Sequence, residues 1–382
     1  MYIYNAHVVP VTADPFDGYI EIDGAKIAGL GEGMPPEAAP GDIDAHGHTV
    51  MPGLIDIHTH MGFIGDGGGR ESDDLNEGSD PVTPHLRAID GINIYDGYFG
   101  DARRAGVTSV IAGAGSLNAI GGTMAAFKTA GRTPDEALIR TAAVKFALGE
   151  NPKSYADRDE EPQTRMAIAA LIRDTLFKAR QYAERKAQAE DTSDLPDFDL
   201  KYEALIPLLC GDIRAHIHCH RADDILTALR ICDEFSLRPL LIHCTEGHLI
   251  ADVLAERKAE AVVGPILCDR GKPELAHASY ANAARLYESG VSIAICTDHP
   301  EVMIDMLTTS AALCVKHGLP HDAAVEAITI NAARLGDISD RVGSVEVGKD
   351  ADLIMIDGDI LDMDTNILMT MVDGKAVYRV EI

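Results

Sequence analysis

The chain has 382 residues, 46% hydrophobic and 25% charged, with a formal net charge of −28. That length excludes a single small core and calls for one large barrel or two domains. The acidic balance excludes nucleic acid and an anionic membrane surface as partners, since both need a cluster of positive charge.

The start, "MYIYNAHVVPVTADP", has no basic stretch followed by an apolar one, so no signal peptide is expected. "GYIEIDGAKIAGLG" (18–31) alternates apolar and polar residues around Asp23-Gly24, the pattern of a hairpin. Eight strand-like runs then follow, at 54–58, 108–114, 123–128, 141–147, 214–219, 238–244, 259–267 and 291–298. Helical patterns separate many of them, at 223–235, 248–258, 281–289, 304–318 and 321–335. Eight strands alternating with helices predict a (β/α)8 barrel. Between the fourth and fifth strands lies an insertion at about 161–209, with a long helix expected to start at Pro162. It is expected to be a helical hairpin packed outside the barrel, with a lid or a contact in a homo-oligomer as the other reading. The end of the chain returns to strands, "DADLIMIDGD" (350–359) and "TMVDGKAVYRVEI" (370–382), with a second Asp-Gly turn at Asp373-Gly374. Residues 1–52 and 341–382 are therefore expected to form one composite β-sandwich domain beside a barrel spanning 53–340.

Seven cysteines occur singly (Cys210, Cys219, Cys232, Cys244, Cys268, Cys296 and Cys314), an odd number with no Cys-x-x-Cys. That usage points to reduced thiols and a cytoplasmic location rather than a disulfide framework.

Barrel enzymes carry their chemistry at the C-terminal ends of the strands. There the first strand ends in His58 and His60, the fifth in "HIHCH" (216–220), the sixth in His243 and the eighth in Asp298 followed by His299. Alternate strand residues share a face, so His58 pairs with His60 and His216 with His218. Imidazoles gathered with a carboxylate suit a divalent metal, zinc first, with iron or manganese as alternatives.

"VMPGLIDIHTH" together with His218, His243 and "TDHP" resembles the metal-dependent amidohydrolase superfamily, in its imidazolonepropionase-related and prolidase-like branch. "RVGSVEVGKDADLIMIDGD" resembles that superfamily's return from barrel to β-sandwich. The resemblance spans essentially the whole chain and implies a deformed (β/α)8 TIM barrel with a small composite β domain. It implies that His58 and His60 bind the more buried of one or two ions and that His218 and His243 bind a second. His216 and His220 remain alternatives to His218 at the fifth strand. Asp298 would bind metal and act as general base. At the fourth strand "AAVKFALGENPK" offers two candidates, Lys145 as a carboxylated lysine and Glu150 as a direct ligand.

The chemistry implied is attack of a metal-activated water on the carbonyl of a small amide-type substrate: a non-standard peptide, N-acyl or cyclic amide. Lactone hydrolysis on the same centre is an alternative. Heterocycle deamination is disfavoured, because relatives of that kind carry Glu three residues after the fifth-strand histidine, where this chain has Arg221. A non-catalytic assembly protein on the same fold is disfavoured by retention of every expected ligand. His220, His299, Arg270 and Lys272 are candidate substrate contacts, the two cations suiting a substrate carboxylate. Asn118, in the glycine-rich loop after the second strand, is a further candidate contact.

Overall fold

The computed structural model describes residues 1–37, 39–65, 69–158 and 160–380. The N-terminal strands are β1 (Tyr2–Val8), β2 (Phe16–Asp23), β3 (Lys26–Glu32), β4 (Ile43–Asp44) and β5 (Thr49–Pro52). The middle supplies β6 (Leu54–Thr59), β7 (Val107–Gly113), β8 (Ile120–Lys128), β9 (Leu138–Ala147) and β10 (Arg214–Cys219). It continues with β11 (Pro239–His243), β12 (Glu260–Val263) and β13 (Ser292–Ile295). The chain ends in β14 (Leu353–Ile356), β15 (Ile367–Val372) and β16 (Lys375–Arg379).

Two sheets result. One contains only strands from the two chain ends, in the order β16-β15-β14-β5-β1-β2-β3, with β4 added to β1. The ends are joined where β5 pairs antiparallel with β14. Ile3, Val8, Ile20, Ile22, Val50, Leu353 and Met369 form its core. Both Asp-Gly turns form, with Gly24 at φ 58° and Gly374 at φ 73°, and they pack back to back: a Cβ on Gly374 would collide with the Gly24 carbonyl oxygen.

The second sheet runs β6 to β13 in sequence order and curls into a barrel. Backbone bonds from His60 N–H to the His299 carbonyl (2.8 Å) and from Asp298 N–H to the His58 carbonyl (3.1 Å) tie its two ends. All neighbours pair in parallel except β8, which runs antiparallel to β7 and to β9. The alternation of strand and helix is therefore broken at the third strand, for a reason of length. Only residues 114–119 separate β7 from β8, and a parallel crossover needs a dozen or so residues.

The inserted segment folds as helices α1 (Arg165–Gln188) and α2 (Leu200–Leu209). α1 starts later than Pro162 predicts, because Thr164 is the N-cap and its hydroxyl accepts from the Ala167 N–H at 3.1 Å. The expected helix over 321–335 is two, His321–Ala327 and Ile330–Leu335. No helix among the described residues is long and apolar enough to cross a membrane.

Because β8 is reversed, its last residue, Lys128, emerges beside the end sheet. Its ammonium is buried and lies 2.9 Å from Asp350, 2.7 Å from Asp352 and 3.2 Å from Asp373. Burial opposes the charge on Lys128, but these three carboxylates outweigh it and raise its pKa. Asp350 is likewise pushed up by burial but held below its ordinary value by Lys128, Lys26 and Arg341. Asp352 is raised, since burial outweighs Lys128 there. A depressed carboxylate stabilises the fold above its unfolded pKa and loses that contribution as pH falls through its folded pKa. Removing the central cation reverses the sign, because carboxylates left buried and unpaired bind protons more readily in the folded state. Lys128→Met should therefore cost about 3–5 kcal/mol near neutral pH and recover stability as pH drops towards about 5. Urea unfolding at the two pH values checks this; an equal deficit at both would contradict it.

Candidate metal centre

β6 is buried along its whole length, and it carries one carboxylate, Asp56, among apolar residues. Asp56 accepts from the His58 N–H (3.2 Å), the Thr297 N–H (3.0 Å) and the Thr297 hydroxyl (2.5 Å). Burial raises its pKa to about 7 against these donors. It thereby pins the strand that bears His58 to the segment that bears Asp298. Asp56 is not among the residues singled out from sequence; its signal there is a lone acid two residues before His58.

The imidazoles are aimed by backbone carbonyls. His60 Nδ1 donates to the Gly113 carbonyl at 2.9 Å and His243 Nδ1 to the Gly264 carbonyl at 2.7 Å. A carbonyl only accepts, so the proton sits on Nδ1 and Nε2 is left as a lone pair pointing inward. His60 Nε2 lies 3.3 Å and His58 Nε2 3.4 Å from Asp298 Oδ1. Burial pulls the pKa of His58 and of His243 well below the ordinary range, so both are neutral. Asp298 would be raised by burial, but His243, His60 and Lys145 outweigh it and hold its pKa at about 2.

Two groups of donor atoms result, each drawn together within 4.8 Å: His58, His243 and Asp298, and His218, His220 and His243. Among the described residues, His58 Nδ1, both nitrogens of His218, and Asp298 Oδ1 are buried without a hydrogen-bond partner. A buried polar atom left unpaired costs about 1–3 kcal/mol, so native proteins rarely gather several in one place. Nitrogen lone pairs gathered around a carboxylate are the donor set that a zinc-like cation satisfies. His243 (φ 70°) and Asp298 (φ 57°) are also held in the left-handed backbone region, at a cost of about 1–3 kcal/mol each for a non-glycine residue.

Lys145 is buried beside this centre, with Nζ 3.0 Å from His58 Nε2. Burial pulls its pKa down to about 8. Glu150 belongs to neither donor group and lines the cavity instead. The structure thus brings Lys145, and not Glu150, to the histidines. His216 pairs in register with Lys145, and burial takes its pKa to about 3.

A cavity of about 640 Å³ opens above the centre, lined in part by His60, His218, His220, Asp298, Glu150 and Lys272. His220, expected as a substrate contact, also stands with the ligand candidates; its Nδ1 is 2.7 Å from the Thr245 hydroxyl and its ring stacks on His243 at 4.6 Å. Lys272 reaches the cavity and donates to Asn151 Oδ1 at 2.9 Å. Arg270 lines an adjoining cavity of about 260 Å³ and donates to the Ala278 carbonyl. His299 is fully buried rather than on the cavity wall: its Nδ1 accepts from the Ile304 N–H at 3.2 Å and its ring meets Tyr98 edge-on at 4.2 Å. Asn118 is buried too, and its amide donates to the Glu77 and Asp80 carbonyls, bracing a loop. One acid at the centre is not foreseen from sequence. Glu274 follows the two loop cations in "DRGKPE", and it lies buried beside His218 and His220.

Residues 209–377 match the amidohydrolase family. The chain is 38% identical to an amidohydrolase from Thermotoga maritima MSB8, whose crystal structure superposes with a TM-score of 0.95 over 99% of this chain and 100% of that one. It is 27% identical to the amidohydrolase tasK of Hapsidospora irregularis over 94% of its own length but spans only 40% of that protein. An imidazolonepropionase from Treponema denticola is 24% identical over 91% of this chain and 87% of its own. The chain belongs to the metal-dependent amidohydrolases, hydrolases that act on carbon–nitrogen bonds.

Proposed function

We propose that the protein hydrolyses an amide-type carbon–nitrogen bond in a small substrate: a non-standard peptide, an N-acyl compound or a cyclic amide. Residues 53–340 act as the hydrolase barrel, and 1–52 with 341–382 as the β domain that braces it. The observation that carries the reading is the convergence of Nε2 of His58 and of His60 on one oxygen of the buried Asp298 carboxylate, with the His243 ring 4.0 Å from the other. His58, His60, Lys145, Asp298, His218, His220 and His243 are the residues that would hold one or two divalent ions, zinc first. Such an ion lowers the pKa of a water and polarises a carbonyl oxygen. Asp298, ionised throughout the neutral range, takes the proton from the attacking water on a carboxylate oxygen and returns it to the leaving nitrogen.

Lys145 fits the role of a carboxylated bridge. An amine with a pKa of about 8 is partly neutral near physiological pH and can attack carbon dioxide. The N–C bond forms, a proton leaves, and the product is a carbamate anion, a better neighbour than an ammonium for a cation held by His58. Lys272, on the cavity wall, supports a carboxylate-bearing substrate. Arg221 is engaged with Asp223 at 2.8–3.0 Å and offers no acid to a ring nitrogen, which speaks against heterocycle deamination.

Asp298→Asn should lower turnover by about 10²–10⁴-fold while leaving the melting temperature of the fold in place. A chelator should abolish activity, and added zinc should restore it. Full turnover in Asp298→Asn, or in metal-free protein, would overturn the reading. Lys145→Ala should weaken metal binding by about 10–100-fold, and a short carboxylic acid should restore part of it. Unchanged metal content in that variant would rule out the bridge.

A further inference from the structure

Glu274 lies in the short turn Pro273–Leu275 after β12 and is 1% exposed. Its two oxygens have different surroundings. Oε2 accepts from the Glu150 N–H at 2.9 Å and lies 3.8 Å from the Arg165 guanidinium. Oε1 has no hydrogen-bond partner among the described residues and points at two imidazoles, 4.0 Å from His218 Nε2 and 3.9 Å from His220 Nε2. Those distances are too long for hydrogen bonds. In a tetrahedral zinc site, bonds of about 2.0–2.2 Å place neighbouring donor atoms about 3.3–3.5 Å apart, so a cation shared with these imidazoles would draw Oε1 inward by about half an ångström.

We propose that Glu274 is the carboxylate ligand of the ion held by His218, His220 and His243, and that Arg165 of the inserted helix positions it. Arg165 is the first residue of α1, and its Nε sits 3.0–3.1 Å from both oxygens of the buried Asp224. Gly149 leaves the space this requires; a Cβ there would stand 2.7 Å from Glu274 Oε2 and 3.1 Å from Asp224 Oδ2. With one oxygen fixed by a backbone N–H and faced by a guanidinium, the other is fixed in direction. Outer partners aim metal ligands in this way. The start of the inserted helix thereby orients a ligand across the cavity from the first-strand histidines. The ion would carry three imidazoles and one carboxylate, which leaves Lys145 free to complete the group at His58.

The inference rests on the metal-dependent reading, and the test separates the two. Metal-stripped protein is titrated with Zn2+ by equilibrium dialysis and with Co2+ by visible absorption, for the wild type, Glu274→Gln, Arg165→Gln and His58→Ala. Glu274→Gln should lose one equivalent or weaken it by more than about 10–100-fold, and should alter the Co2+ spectrum. Arg165→Gln should weaken the same equivalent less and keep a spectrum closer to wild type. His58→Ala should affect the other equivalent. Wild-type protein that takes up no metal would overturn the functional reading and this inference with it. Metal uptake with Glu274→Gln matching wild type in affinity and spectrum would overturn this inference alone. If Glu274→Gln does not fold, Arg165→Gln decides: unchanged Zn2+ affinity and spectrum in that variant would overturn the proposal.

Discussion

Everything at the mouth of the barrel depends on one electrostatic constraint: several nitrogen lone pairs and a carboxylate face one another in a buried space. Carbonyl oxygens of Gly113 and Gly264 fix the Nδ1 protons of His60 and His243 and so turn their Nε2 atoms inward. Left without a cation this arrangement is costly, and the protein strains its backbone at His243 and Asp298 to build it. Asp56 holds the two strand ends in register at the point where β6 meets the segment after β13. These features are explained together by a centre assembled for metal, and none of them is needed for an apolar barrel core.

The rest of the fold serves that placement. The end sheet seals one face of the barrel through Lys128 and its three carboxylates, a pairing made possible by the reversal of β8. The inserted helices pack outside the barrel yet send Arg165 to the carboxylates beside the site. Stability and chemistry thus occupy opposite ends of the barrel, as in other barrel enzymes.

Much of this is legible in the sequence. The eight strands, the two Asp-Gly turns and the clustered histidines proposed as ligands are local signals: apolar runs, turn dipeptides and side chains one residue apart on a strand. The reversed β8 is legible in principle, since six residues cannot hold a crossover helix, but apolar content alone carries no strand direction. The roles of His299 and Asn118 are not readable, because a polar residue at a strand end looks the same whether it faces a cavity or braces a loop. Glu274 is hidden for a related reason. Its partners, Glu150 and Arg165, lie more than a hundred residues earlier, and nothing near it in the chain records that both approach it.

The most direct test of the account is anomalous diffraction from crystals of the purified, zinc-loaded protein. The account predicts ion density among His58, His60, Lys145 and Asp298, or among His218, His220 and His243, or in both places, with Nε2 of His60 or His243 as a ligand. Active protein with no ion at either position, its imidazoles bonded instead to Asp298 or to water, would contradict it.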